Sequence, residues 1–181
     1  MTSPHDELRT PRLLMRRWRA SDRAPFAEMN ASPEVMRFFP GTMERAQSDA
    51  FVDLIEQRFE TQGYGLWALE LLETGEFLGY TGLNPMPEGV PGAGGMELGY
   101  RLKQDAWGHG YATEAALETV ATAFDGIGLD EVWSMTAVLN TPSQAVMRRA
   151  GLTLHGQFEH PRIEPGSPIR PHVVFHRQRP S

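Results

Sequence analysis

The chain has 181 residues, 40% of them apolar and 22% charged, with no cysteine and a formal net charge of −6. Such a length and composition suit one globular domain with a sizeable core. They exclude a disulfide framework, a thiolate nucleophile and a cysteine-held metal, and the acidic balance argues against general nucleic-acid affinity. No apolar run approaches the roughly 20 residues that span a bilayer. The N-terminus lacks the charged-then-apolar layout of a secretory leader, so a cytoplasmic address is expected.

Arg12–Trp18 alternates Leu13, Met15 and Trp18 with arginines, which predicts a first strand with a solvated basic face or a phosphate-binding patch. Ser21-Asp22 offers an N-cap for a helix reaching Asn30, and Ser32-Pro33 opens a short turn with proline at its favoured first position. From Thr42 to Gln62, Phe51, Leu54, Ile55 and Phe59 recur at helical spacing, with Thr42 as the expected cap. Gly65–Leu72 and Glu76–Met86 read as strands joined by a tight hairpin, and Met96–Lys103 as another beyond a glycine- and proline-rich loop. A helix from Tyr111 to Phe124 is stopped by Gly126 and Gly128. The strand Glu131–Leu139, the helix Thr141–Gly151 and two strands around a proline-rich loop complete the chain. These seven strands predict one α/β domain, 1–181, with a mixed central sheet and helices on both faces.

The segment "WGHGYATEAA" (Trp107–Ala116) alternates glycine with larger residues and then becomes strongly helix-forming. The first N–H groups of a helix lack internal partners and sit at a dipole end carrying about half a positive charge. Small residues let a phosphate approach them; equally, glycine may serve only the angles of a tight turn. Three phosphate loops fail here. A Walker loop needs Gly-Lys-Ser/Thr, which is missing. The dinucleotide fingerprint needs glycine where Thr113 stands and an acid at the end of the next strand, whereas Asp130 and Glu131 begin it. A kinase loop needs a longer chain.

The stretch Trp107–Ala115 resembles the acyl-CoA loop of the GNAT acetyltransferase superfamily, and more narrowly that of its Rim-type branch, which includes acetyltransferases of ribosomal-protein N-termini. "LNTPSQAVMRRAGL" (Leu139–Leu152) resembles the branch's Asn-x-x-Ser helix, and "LRTPRLLMRRW" its opening strand. The superfamily often begins the loop with Gln or Arg, where Trp107 stands here. The resemblance implies a splayed central strand pair and acetyl-CoA as cosubstrate. It puts the diphosphate on the amides of Gly108, His109, Gly110, Tyr111, Ala112 and Thr113. The pantetheine arm would lie along Tyr100, Arg101 and Leu102, with Asn140 contacting it while also capping the next helix.

The reaction implied is acetyl transfer to a primary amine, of a protein N-terminus or a small molecule. The amine must first lose a proton, its pKa being about 8 for an α-amine and about 10 for a lysine. Without cysteine, direct attack in a ternary complex is favoured over an acyl-enzyme. The superfamily's usual tyrosine acid falls at Met147, which has no proton to donate; Ser143, one turn earlier on the same face, is the candidate for the sulfur. Glu97 is the first candidate base, with Glu159, His160 and His172 behind it. The histidines lack metal-site spacing, so no metal is expected. "RFFPG" (Arg37–Gly41) either lines the acceptor groove or packs under a helix. The acidic chain would steer a cationic amine, no membrane is implied, and a homodimer through the tail strands is one arrangement. The rival reading is an acyl-CoA-binding module without catalysis.

Overall fold

In the computed structural model, which describes residues 4–181, the chain runs β1 (Glu7–Arg9), β2 (Leu13–Arg16), α1 (Arg23–Ala31), α2 (Pro33–Met36), α3 (Arg45–Gln62), β3 (Leu66–Leu71), β4 (Phe77–Pro85) and β5 (Met96–Leu102). It continues through α4 (Tyr111–Ala121), a π-helical turn (Thr122–Ile127), β6 (Glu131–Ala137), α5 (Thr141–Arg149), β7 (Thr153–Glu159) and β8 (Pro171–Gln178). Eight strands form one mixed sheet in the order β1-β2-β3-β4-β5-β6-β8-β7. The count corrects the expected seven by adding β1, which pairs antiparallel with β2 through Leu8 and Met15. Among the described residues, no helix is long and apolar enough to cross a membrane.

Helices cover both faces. Tyr80 of β4 packs edge-on against Phe26 of α1 and Phe51 of α3. Leu83 and Leu98 lie in a second cluster with Ala116 and Val120 of α4 and with Met147 of α5. Alternation along β4 explains the division, since Tyr80 and Leu83 point to opposite sides of the pleat. The helix boundaries follow local chemistry. Gln47 accepts from the main-chain N–H of Glu44 at 2.8 Å, so Glu44 and not Thr42 is the N-cap of α3. Gly128, at φ 83°, ends the π-helical turn after α4 in the left-handed conformation that glycine tolerates.

The arginines expected on a solvated basic face are only partly so: Arg12 is exposed, whereas Arg16 and Arg17 are drawn against acids. Arg16 is buried, and its guanidinium meets Asp22 at 2.8 and 3.0 Å and Glu70 at 2.8 Å. Arg17 reaches Glu56 at 2.6 Å and Glu60 at 2.5 Å. Asp22 also accepts from the N–H of Arg19 at 2.7 Å, which is why its carboxylate makes no cap on α1. Every side of this buried pair is satisfied, and that is the condition under which a desolvated ion pair is tolerated. Replacing Arg16 by Met should therefore strand the Asp22 carboxylate and lower unfolding free energy by about 3–5 kcal/mol in urea titration. A loss of under about 1 kcal/mol would show that the network contributes no stability.

Candidate active site

β5 and β6 are neighbours that barely pair. Their ladder contains the single parallel partnership Glu97–Trp133, although each strand pairs fully on its other side. Just past that point, Ser134 donates its hydroxyl to the Leu98 carbonyl at 2.8 Å, and the strands then diverge. At the open end a side chain spans the gap: the Tyr100 hydroxyl lies 2.8 Å from the Ser143 hydroxyl and donates to the Ser143 carbonyl at 2.9 Å. Burial raises the Tyr100 phenol's pKa well above its ordinary value, so the group stays protonated.

Strand alternation fixes which groups face the gap. The N–H of Lys103 bonds to Leu78 in β4, so the odd-numbered residues of β5 turn their main chain to β4. Leu98, Tyr100 and Leu102 therefore turn theirs to the gap. The Leu98 carbonyl is taken by Ser134 and that of Leu102 by the Trp107 indole N–H at 3.0 Å. Tyr100 is left with its main chain free of the neighbouring strand. Arg101 contributes its side chain only, on the face shared with Glu97.

At the C-terminal end of the gap the glycine loop enters α4. Gly108 and Gly110 have φ of 79° and 81°, so the turn does require glycine for its angles. A Cβ built on Gly108 would meet no protein atom within 4 Å, so the loop is also open. The first helical bond runs from Glu114 to the Gly110 carbonyl. The N–H groups of Tyr111, Ala112 and Thr113 precede it and have no partner in the helix. Arg12 fastens this loop from β2's leading edge. Its guanidinium donates to the His109 carbonyl at 2.9 Å and to Glu114 at 2.7 Å, and it stacks over the Tyr111 ring. The same Glu114 accepts from the hydroxyl of Thr10 at 2.6 Å and the N–H of Arg12 at 2.9 Å. These bonds hold its carboxyl below the usual carboxylate range, although burial opposes them.

One cavity of about 940 Å³ joins these parts. Of the residues singled out by sequence, Glu97, Tyr100, Arg101, Leu102, Gly108, Gly110, Tyr111, Ala112, Thr113, Asn140 and Ser143 all border it. His109 does not; its ring is exposed and stacks on Tyr111. Asn140 is the cap of α5, accepting from the N–H of Ser143 at 3.3 Å, and its amide donates to Thr136 at 3.0 Å. Met147, fully buried, stands on the same helix face as Ser143. "RFFPG" lines the cavity through Arg37, Phe38, Phe39 and Pro40, as do His160 and His172. Glu159 pairs instead with Arg170 at 3.0 Å. Burial lowers the pKa of both histidines, which favours neutral rings. Among the described residues no cluster of His, Cys, Asp or Glu could hold a metal ion.

Burial lifts the Glu97 carboxyl to about 7, against a smaller opposing effect from the Asn84 amide. Asn84 is Glu97's cross-strand partner, and its carbonyl oxygen accepts from Arg58 of α3. Sequence reasoning missed Asn84, the Arg58 that orients it, and the hydroxyl of Tyr100. All three act through cross-strand register or contacts between distant segments.

A splayed parallel strand pair, an open helix N-terminus beyond it and a perturbed carboxyl thus share one cavity. The family model described as the acetyltransferase (GNAT) domain matches residues 12–153, and the chain belongs to that family. Membership makes it an acetyltransferase. The chain is 30% identical over 145 residues to an uncharacterized Bacillus subtilis protein, YkkB, covering 80% of this chain and 81% of that one. It is 32% identical over 133 residues to an FsC-acetyl coenzyme A-N(2)-transacetylase of Aspergillus fumigatus, covering 70% and 56%. An acetyltransferase structure from Agrobacterium tumefaciens superposes with a TM-score of 0.78 at 28% identity, covering 96% of this chain and 94% of that one. A ribosomal-protein-S5-alanine acetyltransferase from Vibrio fischeri shares the fold, with a TM-score of 0.74 at 13% identity and coverage of 95% and 96%.

The free amides of the first turn of α4 generate a direct test of the phosphate seat. Thr113→Glu places an acid where a helix N-terminus welcomes one, so folding should be unharmed. Affinity for acetyl-CoA, read by calorimetry, should fall roughly a hundredfold, equivalent to about 2.7 kcal/mol. Unchanged affinity would remove this turn from the cofactor site.

Proposed function

We propose that the enzyme moves an acetyl group from acetyl-CoA to a primary amine by direct attack in a ternary complex. The observation that carries this reading is that one cavity has unpartnered helix amides at one end and a carboxyl titrating near neutrality at the other. In this reading the diphosphate rests on the amides of Tyr111–Thr113. The amide-rich arm pairs with the main chain of Tyr100, and Asn140 flanks it. Acetyl-CoA, when bound, supplies the activated acyl group. The branch-like motifs support a relation to the Rim-type enzymes in how the carrier is held, without fixing the acceptor.

Glu97 is the base of this mechanism. With a pKa of about 7 it is substantially ionised at neutral pH, yet basic enough to take a proton from an ammonium group directly or through a water. Asn84 donates to the ionised form and keeps the carboxylate turned along the groove. Ser143 supplies a hydrogen bond to the departing sulfur, and Tyr100 orients the Ser143 hydroxyl from across the gap.

The acid limb of the kcat/KM profile should fall as pH drops through about 7, because the base must be ionised to act. Glu97→Gln should lose 10²–10⁴-fold in kcat and lose that limb, with acetyl-CoA affinity kept. A variant retaining the full rate would exclude Glu97 as the base. The same shift has a sign in stability. A carboxyl whose folded pKa is raised contributes its full share below the unfolded value and loses it as pH rises towards about 7. Glu97→Gln should therefore melt higher than wild type at pH 8, with the gap closing by pH 4.

Ser143→Ala tests the other end of the reaction. Turnover should drop at least tenfold while acetyl-CoA affinity changes little, and an unchanged rate would remove Ser143 from the mechanism.

A further inference from the structure

The acceptor end of the cavity holds a charge that the transfer chemistry above does not use. Arg101 projects from β5 on the same face as Glu97, and Gly99 lies between them without a side chain. Its guanidinium donates to the neutral Asn30 oxygen at 2.7 Å and lies 4.2 Å from the Phe39 ring centroid. Among the described residues it has no carboxylate within ion-pair distance, and its Nε is buried with no hydrogen-bond partner. Arg16, the buried arginine of β2, is by contrast answered by two acids, Asp22 and Glu70.

Beside Arg101, in direct register on β4, stands Tyr80. Its ring is packed by Phe26 and Phe51, burial raises its pKa, and its hydroxyl donates to no described residue. A guanidinium with one unpartnered N–H and a neutral phenol, side by side, thus both border the cavity. A half-buried guanidinium that faces a substrate groove without an opposing carboxylate suits an anionic group of the ligand. Arg37, over the Phe38 ring at the mouth, adds positive charge along the entry; the remaining mouth acid, Glu34, is exposed and accepts from Ser32.

We propose that Arg101 and Tyr80 form a carboxylate-binding subsite, so that the acceptor is an amine that also carries a carboxylate, as amino acids do. The proposal rests on the transferase reading and narrows its acceptor. Glu97 receives the amine end and Arg101 the acid end. The two Cα atoms are about 13 Å apart at ordinary strand rise, with Gly99 between them. Phe39 and Tyr80 then flank an apolar body between the two charges. A guanidinium offers a carboxylate two parallel donors, and an acceptor without an acid would leave that cation without a counter-charge.

The test is binding of the acetylated products, which needs no turnover. N-acetyl derivatives of glycine, phenylalanine, γ-aminobutyrate and ε-aminocaproate are each compared with the matching primary amide by calorimetry in saturating CoA. At least one acid should bind tenfold or more tightly than its amide. Arg101→Gln should bring that acid down to the level of the amide, and Tyr80→Phe should weaken it severalfold, while acetyl-CoA affinity stays at the wild-type value in both. Equal binding of every acid and amide by wild type, no binding of either, or a preference that survives Arg101→Gln would overturn the subsite. A wild-type chain that selects the acid but takes no acetyl-CoA would sink the transferase reading and uphold the anion site. A chain that takes acetyl-CoA and ignores the acid would do the reverse.

Discussion

Everything in this site depends on two adjacent strands that fail to pair. A parallel sheet normally closes its ladder, because each unpaired main-chain group inside the fold costs about as much as a lost hydrogen bond. Here β5 and β6 share one partnership and then part. The divergence is held open by side chains. Ser134 closes the narrow end on Leu98, and Tyr100 reaches across the wide end to the first turn of α5. The main chain of Tyr100 is consequently a strand edge inside the molecule, which in the proposed reading the amides of the carrier complete. The same tyrosine turns its hydroxyl towards Ser143.

The two ends of the cavity divide the work by electrostatics. The loop end is positive through main-chain dipoles, with Arg12 committed to bracing the loop and unavailable as a free charge. The acceptor end carries side-chain charges on one face of β5, Glu97 and Arg101, separated by a glycine. Both are only partly balanced by protein: Glu97 by the Asn84 amide, Arg101 by the Asn30 oxygen. A substrate with an ammonium and a carboxylate would supply the missing partners together. Among the described residues the buried Arg101 Nε is the one unpartnered side-chain atom that faces this cavity.

How far the sequence could be read depended on how local each feature is. The glycine turn into α4 was legible because its conformation lies in consecutive residues, Gly108 and Gly110 at positive φ and the helix they start. Asn140 as a cap was legible for the same reason, a side chain bonding an N–H three residues ahead. β1 was not, since Glu7-Leu8-Arg9 is too short to display a period and gains its structure from Arg16, Met15 and Leu14 opposite. The basic stripe of β2 was misread as solvated because the acids that neutralise it, Asp22, Glu56 and Glu70, arrive from other elements. Tyr80, Asn84 and Arg58 gave no signal at all. Their roles exist only through the register of β4 on β5 and the packing of α3 over that face.

The account stands on the gap between β5 and β6 being the seat of the carrier. Its most direct measurement is a crystal structure with a non-hydrolysable thioether analogue of acetyl-CoA. The account predicts an amide of the arm hydrogen-bonded to the main chain of Tyr100 and the diphosphate on the N–H groups of residues 111–113. An analogue bound elsewhere, or a complex in which β5 and β6 have zipped together along their length, would contradict it.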